Sequence, residues 1–342
     1  MHWKTRIHTT ATEIARTYAA DPRVLGVAIG GSIGRNRTWR HSDLELIVLV
    51  EAQLADFSYF NYVSGIGVEV IQLTVEQTTQ YARTAPGSEE AAREAAAFPI
   101  QAYKCKIVSD RSGQLAAFKA RFDEALMHPV HTALRCEAAV QRSDARLEAA
   151  RAALAVGAPH TTIAHLRLGM NELLLAYYWR HGILPRSQNR AYQQLRRNTE
   201  QRLGDTRLLE AYTAVYGLDV PMRTLRARFF RAREDILLTS AKHWGERAAD
   251  FMEKAVDSRL EWGHAPSMLC VYTLCLHAMQ CKIQDRDVYD RPETAEAAPA
   301  LHAFFGFAEP GATARAAALT QQYIRARDGL DEAVAAAAPG RS

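Results

Sequence analysis

The chain has 342 residues, 48% of them apolar and 23% charged, with 42 Lys and Arg against 38 Asp and Glu for a formal charge of +4. That balance argues against a disordered chain, and the length predicts two domains. Five cysteines (Cys105, Cys136, Cys270, Cys275 and Cys281), with no Cys-x-x-Cys pair, argue against a disulfide framework.

The N-terminus lacks the apolar run of a secretory leader. The longest apolar stretch, Met268 to Cys281, is too short to span a bilayer. The expected setting is a reducing cytoplasm, with no membrane association. The densest basic stretches, Arg190 to Arg202 and Arg223 to Arg233, are mixed with apolar residues at helical spacing. They read as solvated helix faces, so no nucleic-acid partner is expected.

In chain order, residues 5–19 carry Ile7, Ala11, Ile14, Ala15 and Tyr18 at roughly helical period, and Asp21-Pro22 ends that helix. Val24 to Ile29 is a short β-rich run that leads into Gly30-Gly31-Ser32. Leu44 to Val50 is apolar almost throughout, as in a strand buried on both faces. Val68 to Leu73 alternates, and a helix is expected from Val75 to Ala97. Lys104 to Val108 is a fourth strand candidate, closed by the turn-rich Ser109-Asp110-Arg111-Ser112-Gly113.

Strand signals then fade. Residues 114–156 are rich in helix formers, Gly157-Ala158-Pro159 breaks the pattern, and Thr162 to Arg180 is a helix with an aromatic end. Helical patterns resume at 187–202, 205–216, 222–247, 248–262, 266–283 and 312–338. The expected fold class is an α/β (α+β) mixed-sheet catalytic domain over residues 1–125. An all-α helical bundle over 126–342 would bind substrate.

The chemistry concentrates between residues 30 and 45. Asp43 and Glu45 stand two apart at the start of the apolar strand, so both carboxylates project to one face. Two unpaired acids there are costly, and their repulsion calls for a cation between them. Glu69 reads either as a third acid of the set, if its strand is a neighbour, or as an ordinary solvated strand residue. Hard carboxylate oxygens suit Mg²⁺, and paired ions clamp the attacking and leaving oxygens of phosphoryl chemistry. Upstream, the glycines let the backbone approach a phosphate. Ser32 and the amides after it would hold the β- and γ-phosphates, and Arg35 would neutralise the leaving pyrophosphate. His41 reads as a loop residue or a phosphate contact.

Gly-Ser-x-Gly-Arg (Gly31 to Arg35), followed by Ser-Asp-x-Glu (Ser42 to Glu45) in an apolar strand, resembles the polymerase-β-type nucleotidyltransferase superfamily. Within it, the chain is most similar to the kanamycin nucleotidyltransferase group of aminoglycoside-modifying enzymes, which has Asp-x-Glu where many members have Asp-x-Asp. The likeness continues at Val68-Glu69-Val70 and Asp110-Arg111-Ser112-Gly113, and more weakly at His131-Thr132-Ala133 and Thr162 to His181. It covers about residues 20–200.

The resemblance implies transfer of a nucleoside monophosphate from an NTP, ATP by default, to a hydroxyl of a small-molecule acceptor, with pyrophosphate leaving. It implies two Mg²⁺ ions held by Asp43, Glu45 and Glu69, a nucleotide held by Gly31, Ser32, Arg35 and Ser42, and a homodimer with sites at the subunit interface. The group's general base is a glutamate on the first helix of the C-terminal half. Ungapped matching puts Asp144 there, with Glu137 two turns earlier as competitor. The alternatives are adenylylation of a carboxylate or amine as an activation step, adenylylation of a protein target, or a non-catalytic module on the same fold.

Outside this constellation, Cys270, Cys275, His277 and Cys281 read as helix core rather than a zinc site. Glu172 would face a substrate cleft or pair with Arg167 or another arginine. Tyr177, Tyr178 and Trp179 read as core or dimer contacts.

Overall fold

Leu44–Val50 forms a strand buried almost throughout, as its composition requires. It is the central member of a five-stranded mixed sheet in a computed structural model that describes residues 2–39, 42–57, 60–85, 87–185, 191–244 and 288–337. The chain divides into two units, one built on Met1–Arg135 and the other on residues from Cys136 onward. The division falls at Arg135 where the sequence placed it at 125. The start of the helix at Pro129–Ala155 belongs to the first unit, and Arg135 Nη2 donates to the Ala95 carbonyl at 2.8 Å.

The sheet unit begins with α1 (Trp3–Ala19), which buries Ile7, Ala11, Ile14 and Ala15 at helical spacing. Then come β1 (Val24–Ile29), the four-residue α2 (Gly31–Gly34), β2 (Leu44–Val50), β3 (Phe60–Val63) and β4 (Ile66–Thr74). α3 (Val75–Arg83), α4 (Glu89–Ala96), β5 (Lys106–Asp110) and α5 (Gln114–Ala125) complete it. The strand order is β3-β4-β2-β1-β5; β2 and β4 are parallel and the other pairs antiparallel. α1 packs with Leu44, Leu46, Val48 and Val50 in one cluster. Tyr81, Phe98, Phe118 and Phe122 form a second, aromatic cluster among α3, the residues after α4, and α5.

Three local features differ from the sequence expectation. β3 was not foreseen. It forms a hairpin with β4 across Ser64 and Gly65, both at positive φ (50° and 80°), as a tight two-residue turn demands. The helix expected over Val75 to Ala97 is two helices. Thr84 leaves α3 in an extended conformation and Ser88 caps α4, around the Pro86-Gly87 dipeptide. The strand expected at Lys104 to Val108 lies two residues later.

In the second unit every regular element among the described residues is helical. α6 (Pro129–Ala155) enters it from the first unit. It is followed by α7 (Pro159–Arg180), α8 (Ala191–Asn198), α9 (Arg207–Val215) and α10 (Met222–Trp244). α11 (Pro292–Ala297), α12 (Pro299–Phe304) and α13 (Ala312–Ala337) come last.

α7 is buried on nearly every side and is the core of this unit. Its Arg167 is wholly enclosed and donates to the carbonyls of Val215 (3.0 Å) and Phe305 (2.8 Å). Tyr177, Tyr178 and Trp179 are buried as expected. On α10, Arg223 and Arg231 are exposed while Phe229 and Ala232 are buried, the solvated face read from the sequence. The helices expected at 248–262 and 266–283, with Cys270, Cys275, His277 and Cys281, lie outside the described residues, as does Arg190. Among the described residues, no helix is long and apolar enough to cross a membrane.

Candidate active site

Strand register brings the acids together. β2 and β4 are parallel neighbours, and Glu45 stands opposite Glu69. Because Leu44, Leu46, Val48 and Val50 turn toward α1, alternation turns Asp43 and Glu45 to the opposite face. Glu69, as the cross-strand partner of Glu45, shares that face. Glu45 Oε2 is sealed from solvent and has no hydrogen-bond partner. Burial pushes the Glu45 carboxyl well above the usual carboxylate range, and Asp43 and Glu69 push it further; Arg35 opposes them.

The glycine turn is built against this carboxylate. Gly30 N donates to the Glu45 carbonyl at 2.8 Å, which ties the turn to β2. Gly31 has φ +54°, and a Cβ there would overlap the Glu45 carboxylate. Glycine is thus required twice, for its backbone conformation and for its missing side chain.

The loop between turn and acids is pinned by its serines. Ser32 Oγ donates to Ser42 Oγ at 3.1 Å, and Ser42 Oγ accepts from Trp39 N at 2.9 Å. Arg35 Nη1 donates to the Tyr103 carbonyl at 3.2 Å. Burial lowers the Arg35 pKa, and Glu45 is the largest opposing influence. Two contributors escaped the sequence reading. His8 of α1 shares a 3.0 Å hydrogen bond with Thr38, and the Gln101 carbonyl would lie 2.7 Å from a Cβ on Gly30. No motif marks either; both depend on chain segments distant in sequence. His41 lies outside the described residues.

Gly31, Ser32, Arg35, Ser42, Asp43, Glu45 and Glu69 are therefore assembled around one face of the sheet unit. The two candidate bases belong to the other unit. Asp144 accepts from Arg327 Nε at 2.8 Å and Nη2 at 3.1 Å. Glu137 is exposed and accepts a 3.4 Å bond from Gln141. Glu172 does not pair with Arg167; it accepts from Arg142 Nε at 2.8 Å, because Arg167 is committed to backbone carbonyls inside the core.

Among the described residues, no three His, Cys, Asp or Glu side chains are drawn close enough to hold a metal ion. The donor chemistry of the acid face nevertheless fits a hard divalent cation. It offers carboxylates only, one with a buried oxygen lacking a partner, and their mutual charge raises the pKa of Glu45.

No family model matches the sequence, and no curated protein matches it. Among solved structures, a nucleotidyltransferase-like protein from Exiguobacterium sibiricum is similar at 12% identity, over 88% of this chain and 90% of that one, with a TM-score of 0.34. A likeness at that level carries no weight for function, which rests on the site itself.

Proposed function

We propose that this chain is a metal-dependent nucleotidyltransferase that moves a nucleoside monophosphate, AMP by default, from an NTP to a hydroxyl of a small molecule. The observation that carries this reading is the Glu45 carboxylate, with its enclosed oxygen lacking a partner, two acids crowding it, and Gly31 against it. A strand that served only the fold would pair such a charge or replace it with an apolar side chain.

Asp43, Glu45 and Glu69 would hold the cation, two Mg²⁺ ions by the family resemblance. Bound there, Mg²⁺ supplies charge neutralisation for the triphosphate and the pentavalent transition state. Ser32, Ser42 and the backbone at Gly31 bind the triphosphate, and Arg35 orients the pyrophosphate and offsets its charge. The acceptor oxygen forms a bond to the α-phosphorus as the bond to the bridging oxygen breaks, and the pyrophosphate carries away the electron pair. The hydroxyl proton passes to a carboxylate. Asp144 and Glu137 are the candidates, and Glu137 is the freer acceptor because Asp144 engages both its oxygens with Arg327. Aminoglycosides are one acceptor class to test, and a homodimer is the assembly the resemblance implies, open to sedimentation.

The deciding experiment incubates the chain with Mg²⁺, each NTP in turn, and a panel of aminoglycosides and cell metabolites. Pyrophosphate release with an acceptor heavier by one nucleoside monophosphate supports the proposal. Free AMP with a new amide or ester moves the reaction to carboxylate activation, and label from α-labelled ATP on a macromolecule moves it to protein modification. Absence of pyrophosphate, together with absence of Mg²⁺-dependent NTP binding, overturns the transferase reading.

A further inference from the structure

A separate cavity lies wholly within the helical unit. Leu173, Tyr177, His181, Asp205, Leu208 of α9, and Ala326, Gly329 and Leu330 of α13 line about 90 Å³. Four of these eight are aliphatic, and the one acid, Asp205, is paired with Arg207 at 3.0 Å.

Its polar groups are Tyr177, His181 and the paired Asp205. Tyr177 is buried, and its phenol oxygen has no hydrogen-bond partner. Thr199, also buried, acts on that phenol through its hydroxyl. His181 meets the Tyr177 ring edge-on at 4.7 Å. Burial lowers the His181 pKa, which favours the neutral ring with its one acceptor nitrogen. Buried polar groups are almost always hydrogen-bonded, and those without a protein partner are completed by a ligand or by ordered water.

We propose that this cavity binds a small neutral molecule bearing a hydroxyl group on a short branched aliphatic body. A dry cavity of about 150 Å³ accommodates benzene, so one of this size suits roughly three to five carbons. A hydroxyl both donates and accepts, and so can meet the Tyr177 phenol and the acceptor nitrogen of the neutral His181 ring. Asp205 is already paired with Arg207, and a charged head would lose its hydration against Leu173, Leu208 and Leu330. The inference is independent of the acid face in the sheet unit.

Isobutanol is a suitable probe, with isobutyl chloride as a size match lacking the hydroxyl. Saturation-transfer NMR on the full chain is expected to show isobutanol binding. Tyr177→Phe is expected to weaken isobutanol about fivefold and leave isobutyl chloride unchanged, the scale of one lost hydrogen bond. Ala326→Leu fills the cavity and is expected to abolish binding of both probes. Leu330→Phe replaces it if circular dichroism shows that Ala326→Leu does not fold. No transfer to either probe in the wild type means that ordered water alone completes the site, and the proposal fails. Binding retained in a folded, filled variant also overturns it, as does isobutanol affinity unchanged by Tyr177→Phe.

Discussion

The two units treat their charged side chains in opposite ways. In the helical unit four carboxylates answer to arginines: Asp144 to Arg327, Glu172 to Arg142, Asp205 to Arg207, and Glu309 to both Arg228 and Arg315. The sheet unit follows the same rule on its surface, where Asp21 and Asp56 share Arg23. At Glu45 it departs from the rule. The strongest charges acting on Glu45 are two other carboxylates, and the opposing Arg35 donates to a backbone carbonyl. Pairing is what a fold needs from a charge; crowding is what a cation-binding site needs. Under the proposed function, the contrast separates architecture from chemistry within one chain.

The largest effects should fall on the crowded side. Asp43→Asn removes a proposed ligand at nearly constant volume. It is expected to lower kcat on the order of 10³-fold in a pyrophosphate-release assay, with an unchanged circular dichroism spectrum. Glu45→Gln sharpens the contrast, because it should lose turnover on the order of 10²-fold or more while gaining stability, about 1–2 kcal/mol at neutral pH.

The sign follows from the raised pKa. A carboxyl that prefers its proton in the native state supports folding below its unfolded value. That support is lost as pH rises through the native value. The stability gap between variant and wild type should therefore widen with pH across that window, and Mg²⁺ should raise the melting temperature of the wild type alone. A Glu45→Gln protein less stable than wild type would show that the charge is paired after all.

Acid treats both units alike. Burial, then Arg135, His128 and Arg121, lowers the pKa of His131 to about 4; burial and then Arg146 lower that of His165 to about 4. Of these two, His131 lies in the sheet unit and His165 in the helical unit. A depressed native pKa gives stability that is present above the unfolded value near 6.5 and is lost as pH falls toward 4. Each histidine should contribute on the order of 2 kcal/mol to that loss once solvent screening is allowed for. Urea midpoints measured from pH 7 to 4.5 should fall throughout, and a flat profile would show that neither ring is held neutral. Gly31→Ala comes next, with a destabilisation of roughly 1–3 kcal/mol from its φ of +54° and its overlap with Glu45. A stable Gly31→Ala protein would mean that the turn does not press on the acid.

Much of the sheet unit was legible because burial on both faces leaves a plain mark. Leu44–Val50 could be bounded to the residue, and Asp43 and Glu45 stood out against its apolar run. Register was not legible. That Glu45 faces Glu69 depends on β4 pairing with β2, with β3 set outside β4, and pairing across a crossover leaves no local signal. β3 itself carried a readable cue, the Ser64-Gly65 turn between β-rich residues. In the helical unit the elements followed from composition, but their partners did not. Arg327 lies 183 residues beyond Asp144, and the short elements Val288–Asp290, α11 and α12 have too few residues for a helical period to emerge.

The smallest effect tests the paired side of the contrast. If Asp144 is architectural, Arg327→Met should cost no more than about 1 kcal/mol, as expected for a partly exposed ion pair, and should leave kcat unchanged. Asp144→Asn should then cost no more than Arg327→Met, since its amide oxygen can still accept one of the two hydrogen bonds, and should likewise leave kcat unchanged. A base would separate them. Asp144→Asn would lose turnover on the order of 10²-fold or more with the fold intact, whereas Arg327→Met would keep the carboxylate and much of the rate. That split would show that a carboxylate held by an arginine can still accept the acceptor's proton, and pairing could no longer be read as the mark of architecture in this chain.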